Sequence, residues 1–164
     1  MLENMNFLSD IGSLELPAFR VRQMTRAWFD PKIANWSAVS TLPRDLKEKL
    51  MIKYSWSSVK AARVVSGKTA FKALLSLHDG KKIETVLMVN SKGQWTACLS
   101  SQVGCAMNCS FCATGKLGFK RNLEIWEILE QVLFFARYLK EFGEKITNIV
   151  FMGTGEPLDN FDNL

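Results

Sequence analysis

The sequence has no apolar run long enough to be a signal peptide or a membrane span. Residues 1–16 are broken by Glu3, Asp10 and Glu15, and the longest uncharged run, 93–115, is filled with Ser, Thr, Gln, Asn and Cys. A cleaved leader and a transmembrane helix are therefore excluded as readings of these stretches. Histidine is reduced to His78, which sits beside the Asp79-Gly80 turn and reads as a surface residue. Cysteine is confined to four positions, with none after Cys112. Without an export signal these read as reduced thiols, suited to metal ligation more than to disulfides. A cytoplasmic protein with no membrane partner is expected.

What is present is a chain able to bury a core: 164 residues, 48% hydrophobic, with a net charge of +5. The charge is uneven. Residues 1–90 hold 14 Lys/Arg against 8 Asp/Glu, and residues 91–164 hold 7 against 8. The basic excess thickens over 20–72, where Arg20, Arg22, Arg26, Arg44, Lys47, Lys49, Lys53, Lys60, Arg63, Lys68 and Lys72 are interleaved with Phe19, Trp28, Trp36 and Trp56. That mixture fits either a phosphate-backbone footprint or a solvated basic face over an aromatic core.

The pattern is mixed α/β. Pro17 starts a helix through 19–29, and Thr41-Leu42-Pro43 starts a second through Leu46 and Leu50. Apolar or alternating runs at 61–65, 70–77 and 85–89, separated by Ser66-Gly67 and Asp79-Gly80, read as an antiparallel meander. A short strand at 95–100 then feeds a cysteine-rich loop. Asn122 is expected to cap a helix over 123–140 whose apolar stripe is Ile125, Ile128, Leu129, Val132, Ala136 and Leu139. Residues 146–152 read as a buried strand ending in Gly153-Thr154-Gly155-Glu156-Pro157, at the carboxyl end where parallel α/β folds bind ligands. Three regions are expected: a basic helical accessory domain over 1–60, a β extension over 61–90 and an α/β region over 91–164.

Cys105, Cys109 and Cys112 are four and then three residues apart. A cube of four irons held by three thiolates keeps one iron open to a small molecule. Gly104 and Asn108 favour a curled loop in which the sulfurs converge. A zinc site, with Cys98 as fourth ligand, is the alternative. In the second motif, two glycines allow close approach of the backbone to a ligand and the neighbouring carboxylate of Glu156 can pair with an ammonium group; a tight strand-to-loop turn is the alternative.

Cys105-x-x-x-Cys109-x-x-Cys112, with Phe111 before the last cysteine, resembles the radical S-adenosylmethionine motif. Ile83-Glu84-Thr85-Val86, the run from Cys98 to Cys105, Phe111-Cys112-Ala113-Thr114-Gly115, Arg121-Asn122-Leu123 and Gly155-Glu156-Pro157-Leu158 together resemble the RlmN/Cfr family of adenosine methyltransferases, from about Phe19 onward. Thr154 stands where that family usually has methionine. The resemblance implies the start of a partial (β/α) radical-SAM barrel behind the helical domain and β extension. It implies a 4Fe–4S cluster on Cys105, Cys109 and Cys112, and S-adenosyl-L-methionine contacted by Gly155, Glu156 and Phe111. Glu84 would be the proton acceptor and Cys98 the thiol that resolves a covalent protein–RNA intermediate. The family's methyl-carrying cysteine is not among the four here, so the resemblance implies an N-terminal portion, inactive alone. Large-subunit rRNA and tRNA would be the substrates, methylated at carbon 2 of adenosine, and flavodoxin or ferredoxin the electron donor. Carbon-8 methylation of the Cfr type, and a non-catalytic RNA-binding protein with a structural zinc, are the alternatives.

Overall fold

The structure is a computed structural model that describes residues 5–164; Glu3, part of the N-terminal acidic reading, lies outside the described residues. The chain divides into two compact units, residues 1–58 and 59–164.

In the first unit, β1 (Met5–Asn6) leads through a 3-10 segment to α1 (Ala18–Phe29), α2 (Arg44–Lys53) and β2 (Tyr54–Ser55), which pairs in parallel with β1. Its core is aromatic. Phe7 meets the edges of Trp36 and Tyr54, and Trp36 packs on Trp56 with centroids 4.8 Å apart. The indole N–H groups of Trp28 and Trp36 donate to the carbonyls of Trp56 and Tyr54, each at 3.2 Å. Trp28 and Trp36 are thus spent on the core, which for these two decides the open alternative in favour of packing. Phe19 is the exposed aromatic of that set, with the Arg20 guanidinium 4.7 Å from its ring centroid. Asp10 fastens the unit: Lys53 (2.7 Å), Ser13 and the Tyr54 hydroxyl all donate to it and hold its carboxyl well below the usual range.

The second unit is one sheet with a helix against it. β3 (Lys60–Ser66), β4 (Ala70–Ser76), β5 (Lys82–Val89) and β6 (Trp95–Cys98) form an antiparallel meander. The small pair β7 (Gln102–Val103) and β8 (Arg121–Asn122) brackets the cysteine loop. α3 (Ile125–Lys140) then crosses back, and β9 (Ile146–Val150) adds in parallel beside β6, giving the order β3-β4-β5-β6-β9. Alternation directs Ala73, Leu75, Ile83, Leu87 and Ala97 into a shared core with Ile128, Phe135 and Leu139 of α3.

Four expectations are corrected. Glu124, not Asn122, caps α3, through a reciprocal capping box with Glu127, while Asn122 belongs to β8 and accepts a bond from Gln102. The buried face of α3 is rotated from the predicted stripe: Ile125 is exposed, whereas Glu127, Glu130 and Gln131 are buried. The run at 146–152 is an edge of the described sheet, so Asn148 and Ile149 stay exposed. The strand expected over 95–100 ends at Cys98, because Leu99, Ser100 and Ser101 turn their backbone groups to the 150–154 segment, to α3 and to Leu123 just past β8.

The buried side chains of Glu127, Glu130 and Gln131 on α3 are matched, whereas the buried Nε and Nη2 of Arg137 have no hydrogen-bond partner. Arg121 donates to Glu127 through both terminal nitrogens, at 2.7 and 2.8 Å, and through Nε to Asp79 at 2.8 Å. Lys81 also reaches Asp79 at 2.7 Å, and His78 lies 3.4 Å from Glu127. Glu130 accepts the Val59 backbone N–H at 2.9 Å. Gln131 takes both the N–H and the C=O of Ser100 at 2.9 Å.

Arg121→Met would strand the fully buried carboxylate of Glu127, and denaturant unfolding should show a loss of about 3–5 kcal/mol. Asp79→Asn should cost about 1 kcal/mol or less near neutral pH, since this pair is at the surface. Although burial pushes the Asp79 carboxyl up, Arg121 and Lys81 hold it well below the usual range. The unfolded chain therefore takes up that proton first as pH falls, and the stability gap between parent and Asp79→Asn should narrow below about pH 4. A gap that widens in acid would contradict this arrangement.

Candidate functional site

The site is assembled where β6 and β9 leave the sheet side by side. Leu99 N–H donates to Val150 O at 2.8 Å, and Gly153 N–H to Leu99 O at 2.9 Å, which extends the parallel ladder into the glycine turn. The Thr154 carbonyl then accepts from Ser101 and Gln102 N–H at 3.0 and 3.1 Å. The Gln102 side chain accepts the Glu156 N–H at 2.9 Å and donates to Asn122 at 2.9 Å. Glycine is required twice here. A Cβ on Gly153 would lie 2.7 Å from the Leu99 carbonyl, and one on Gly155, whose φ is +107°, would lie 2.5 Å from Gln102 Cβ. Asn160 completes the wall, donating to Ser101 O and Leu123 O at 2.8 and 2.9 Å. Glu156, half-buried, accepts the Leu158 N–H at 3.1 Å and so caps the 3-10 segment Pro157–Asn163.

The cysteine loop leaves this wall directly after β7. It is pinched shut where Gly104, at φ +78°, passes Gly118: a Cβ would meet the Gly118 carbonyl oxygen at 1.8 Å. Asn108 takes the left-handed conformation at φ 46°, and the Cys112 N–H closes a turn onto Cys109 O at 3.0 Å. Cys105 is buried, Cys109 and Cys112 are half-buried, and all three are free thiols. The backbone N–H groups of Gly115 and Thr114 lower the Cys112 thiol pKa, favouring thiolate. Among the described residues no three Cys, His, Asp or Glu side chains are drawn together as a metal-holding set, so the loop supplies the thiols without converging them. The donor chemistry nevertheless fits an iron–sulfur cluster: three soft thiols on one short loop, with main-chain donors facing a sulfur. Phe111 stands in solvent, 92% exposed.

Glu84 and Cys98 lie on the sheet face opposite α3. Cys98 is the direct partner of Val86 on β5 and Val150 on β9, and Glu84 is one alternation along from Val86. Glu84 is exposed and paired with Lys72 at 2.7 Å. Burial raises the Cys98 thiol pKa, and the Met152 backbone N–H beside it works in the opposite direction. The sequence did not single out Ser100, Gln131 or Asn160, and it marked Lys72 only as part of the basic stretch. Their one visible signal is that Ser100, Gln131 and Asn160 are polar residues set among positions the folding pattern buries.

The chain is 40% identical over 148 residues to the probable dual-specificity RNA methyltransferase RlmN of Dictyoglomus thermophilum, covering 90% of this chain and 42% of that protein. It is 40% identical over 169 residues to the dual-specificity RNA methyltransferase RlmN of Campylobacter jejuni, covering 94% and 47%. No family model matches. A crystal structure of a radical SAM methyltransferase from Sphaerobacter thermophilus superposes with a TM-score of 0.85 at 35% identity, covering 99% of this chain and 49% of that one. The chain thus spans less than half the length of the curated relatives it matches. Sequence and fold thus agree across these 164 residues in likening the chain to part of the RlmN proteins and of a radical SAM methyltransferase.

Proposed function

We propose that the chain forms the cluster- and cofactor-binding part of a cytoplasmic RNA methyltransferase that places a methyl group on carbon 2 of adenosine in large-subunit rRNA and in some tRNAs. The observation that carries the reading is the seam between Gln102 and Glu156. Backbone and side-chain bonds fasten the glycine turn to residues 101–102, immediately before the loop bearing Cys105, Cys109 and Cys112. A ligand held by the turn is thereby kept beside a ligand held by the loop.

In this reading Cys105, Cys109 and Cys112 hold a 4Fe–4S cluster, and Gly155, Glu156 and Phe111 contact S-adenosyl-L-methionine. Bound together and reduced by flavodoxin or ferredoxin, the two groups supply the radical chemistry that a non-nucleophilic ring carbon demands. The protein's own part is placement and proton handling. The Glu156 carboxylate has acceptor capacity beyond its one bond to Leu158, which suits the cofactor's ammonium group. The Ser101 hydroxyl, buried beside the turn and without a protein partner, is available to a polar group of the same ligand. Glu84, oriented by Lys72, takes the proton that the modified base must lose. Cys98, held as a thiol by burial, serves in breaking the protein–RNA link. Basic residues within 20–72 meet RNA phosphate.

Anaerobic reconstitution tests the cluster. The parent should become brown, with about four irons per chain; Ala at Cys105, Cys109 or Cys112 should abolish the visible absorption, and Cys98→Ala should leave it in place. A colourless parent with one bound zinc, or equal metal loss in all four variants, would overturn the assignment.

The RNA surface is tested by salt titration of binding to an rRNA fragment. Arg22, Arg26 and Lys49 are exposed and lie outside the aromatic core. Replacing all three by Gln should flatten the slope of log affinity against log salt by about 2, roughly 0.7 to 0.9 for each phosphate no longer neutralised. An unchanged slope would make the basic stretch a solvated face only.

A further inference from the structure

One buried hydroxyl joins two parts of the site that have different tasks. Ser100 is fully buried, and its backbone N–H and C=O are both occupied by the Gln131 carboxamide. Its main chain is therefore fixed from the α3 side. The side chain points its bonds the other way: Oγ donates to the Glu84 carbonyl oxygen at 2.5 Å and accepts the Thr154 N–H at 2.8 Å. A single oxygen thus bridges β5, at the residue that carries the proton-accepting carboxylate, and the turn that receives S-adenosylmethionine. The contact is close on both sides, since a Cβ on Gly153 would lie 2.7 Å from the same oxygen. The other face of the Thr154 peptide, its carbonyl, is held by Ser101 and Gln102, so the Ser100 hydroxyl completes the restraint on that segment.

We propose that Ser100 is a positioning residue for the reaction. It touches neither cluster nor substrate, but its hydroxyl sets the register between the cofactor turn and the strand bearing Glu84. Packing alone does not account for it: Gln131 already anchors the Ser100 backbone, and a methyl group would fill nearly the same volume while leaving the Glu84 carbonyl and the Thr154 N–H without that partner. Such unpaired buried groups are costly, and local loosening of the turn is the relief open to them. The inference rests on the proposed function, because the turn must receive the cofactor for its register to matter.

The test uses the whole chain, reconstituted anaerobically, as parent, Ser100→Ala and Ser100→Thr, with Ser100→Cys as a second near-isosteric variant should the threonine methyl disturb folding. Three quantities are read: hydrogen exchange at the Thr154 amide, the dissociation constant for S-adenosylmethionine, and the visible absorption of the cluster. Ser100→Ala should speed Thr154 exchange about tenfold and weaken cofactor binding about tenfold, as expected for one lost buried hydrogen bond. Cluster absorption should stay at the parent level, because the cysteine loop is pinched by Gly104 and Gly118 and bracketed by β7 and β8 without Ser100. Ser100→Thr should restore both quantities, and Ser100→Cys, a weaker donor, should fall between. Faster exchange with unchanged affinity would reduce Ser100 to a structural residue and overturn the proposal, as would unchanged exchange in Ser100→Ala. A parent that takes up a cluster but binds no S-adenosylmethionine would overturn the proposed function instead, and would do so whatever the Thr154 exchange shows.

Discussion

Three polar side chains buried on one helix, Glu127, Glu130 and Gln131, set the arrangement on which the rest of the second unit depends. An apolar stripe can slide or rotate against a sheet at small cost, but each of these groups must find a partner or forfeit about 1–3 kcal/mol, and more for the carboxylates. Each finds one in a different segment. Glu127 takes Arg121 at the end of the cysteine loop, Glu130 takes the Val59 N–H at the start of the sheet, and Gln131 takes Ser100 where β6 ends. One helix register therefore fixes three chain crossings. The burial of Ile128, Phe135 and Leu139 supplies the bulk of the attraction, while the polar row determines where that attraction acts.

The consequence for the site is a division between rigid and open parts. The glycine turn lies in a wall where main-chain groups are paired across it and where Gly153 and Gly155 permit an approach that a Cβ would forbid. The cysteine loop is tied only at its neck, by Gly104 against Gly118 and by the β7–β8 pair, while Met107, Phe111 and Leu117 face solvent. A thiol loop of that kind can draw its sulfurs around a cluster without disturbing the wall behind it.

Much of this was legible in the sequence, and the parts that were not share a physical cause. The meander was readable because alternation and turn chemistry are local: Asp79-Gly80 and the β4 and β5 patterns need no knowledge of what lies opposite. The first two helices were readable from Pro17 and Pro43. The face that α3 buries was not, since Glu127, Glu130 and Gln131 look like solvent residues until Arg121, Val59 and Ser100 are brought to them by tertiary structure. Asn122 is a good cap by type, but its pairing in β8 with Gln102 occupied it, and Glu124 with Glu127 made the box instead. In the first unit, tryptophans among arginines suited RNA stacking as well as a core, and only the indole bonds of Trp28 and Trp36 to backbone carbonyls decide for the core. Within the site, the motif residues stood out by spacing, whereas Ser100 and Gln131 have no spacing signal at all. Their importance is that of partners, and a partner is defined by geometry.

The sheet itself separates the chemistry on its two faces. Toward α3, the strands carry side chains whose work is packing. Away from it, Glu84 and Cys98 share one face yet sit in different surroundings: the carboxylate is exposed and paired with Lys72, and the thiol is buried between Val86 and Val150. Lys72 fixes the Glu84 carboxylate in place, whereas burial pushes the Cys98 thiol pKa up and favours its protonated, less nucleophilic form. Cys98 therefore differs from Cys105, Cys109 and Cys112 by environment as well as by spacing, since it is held in a strand between two others while they lie on a loop with main-chain donors around one sulfur.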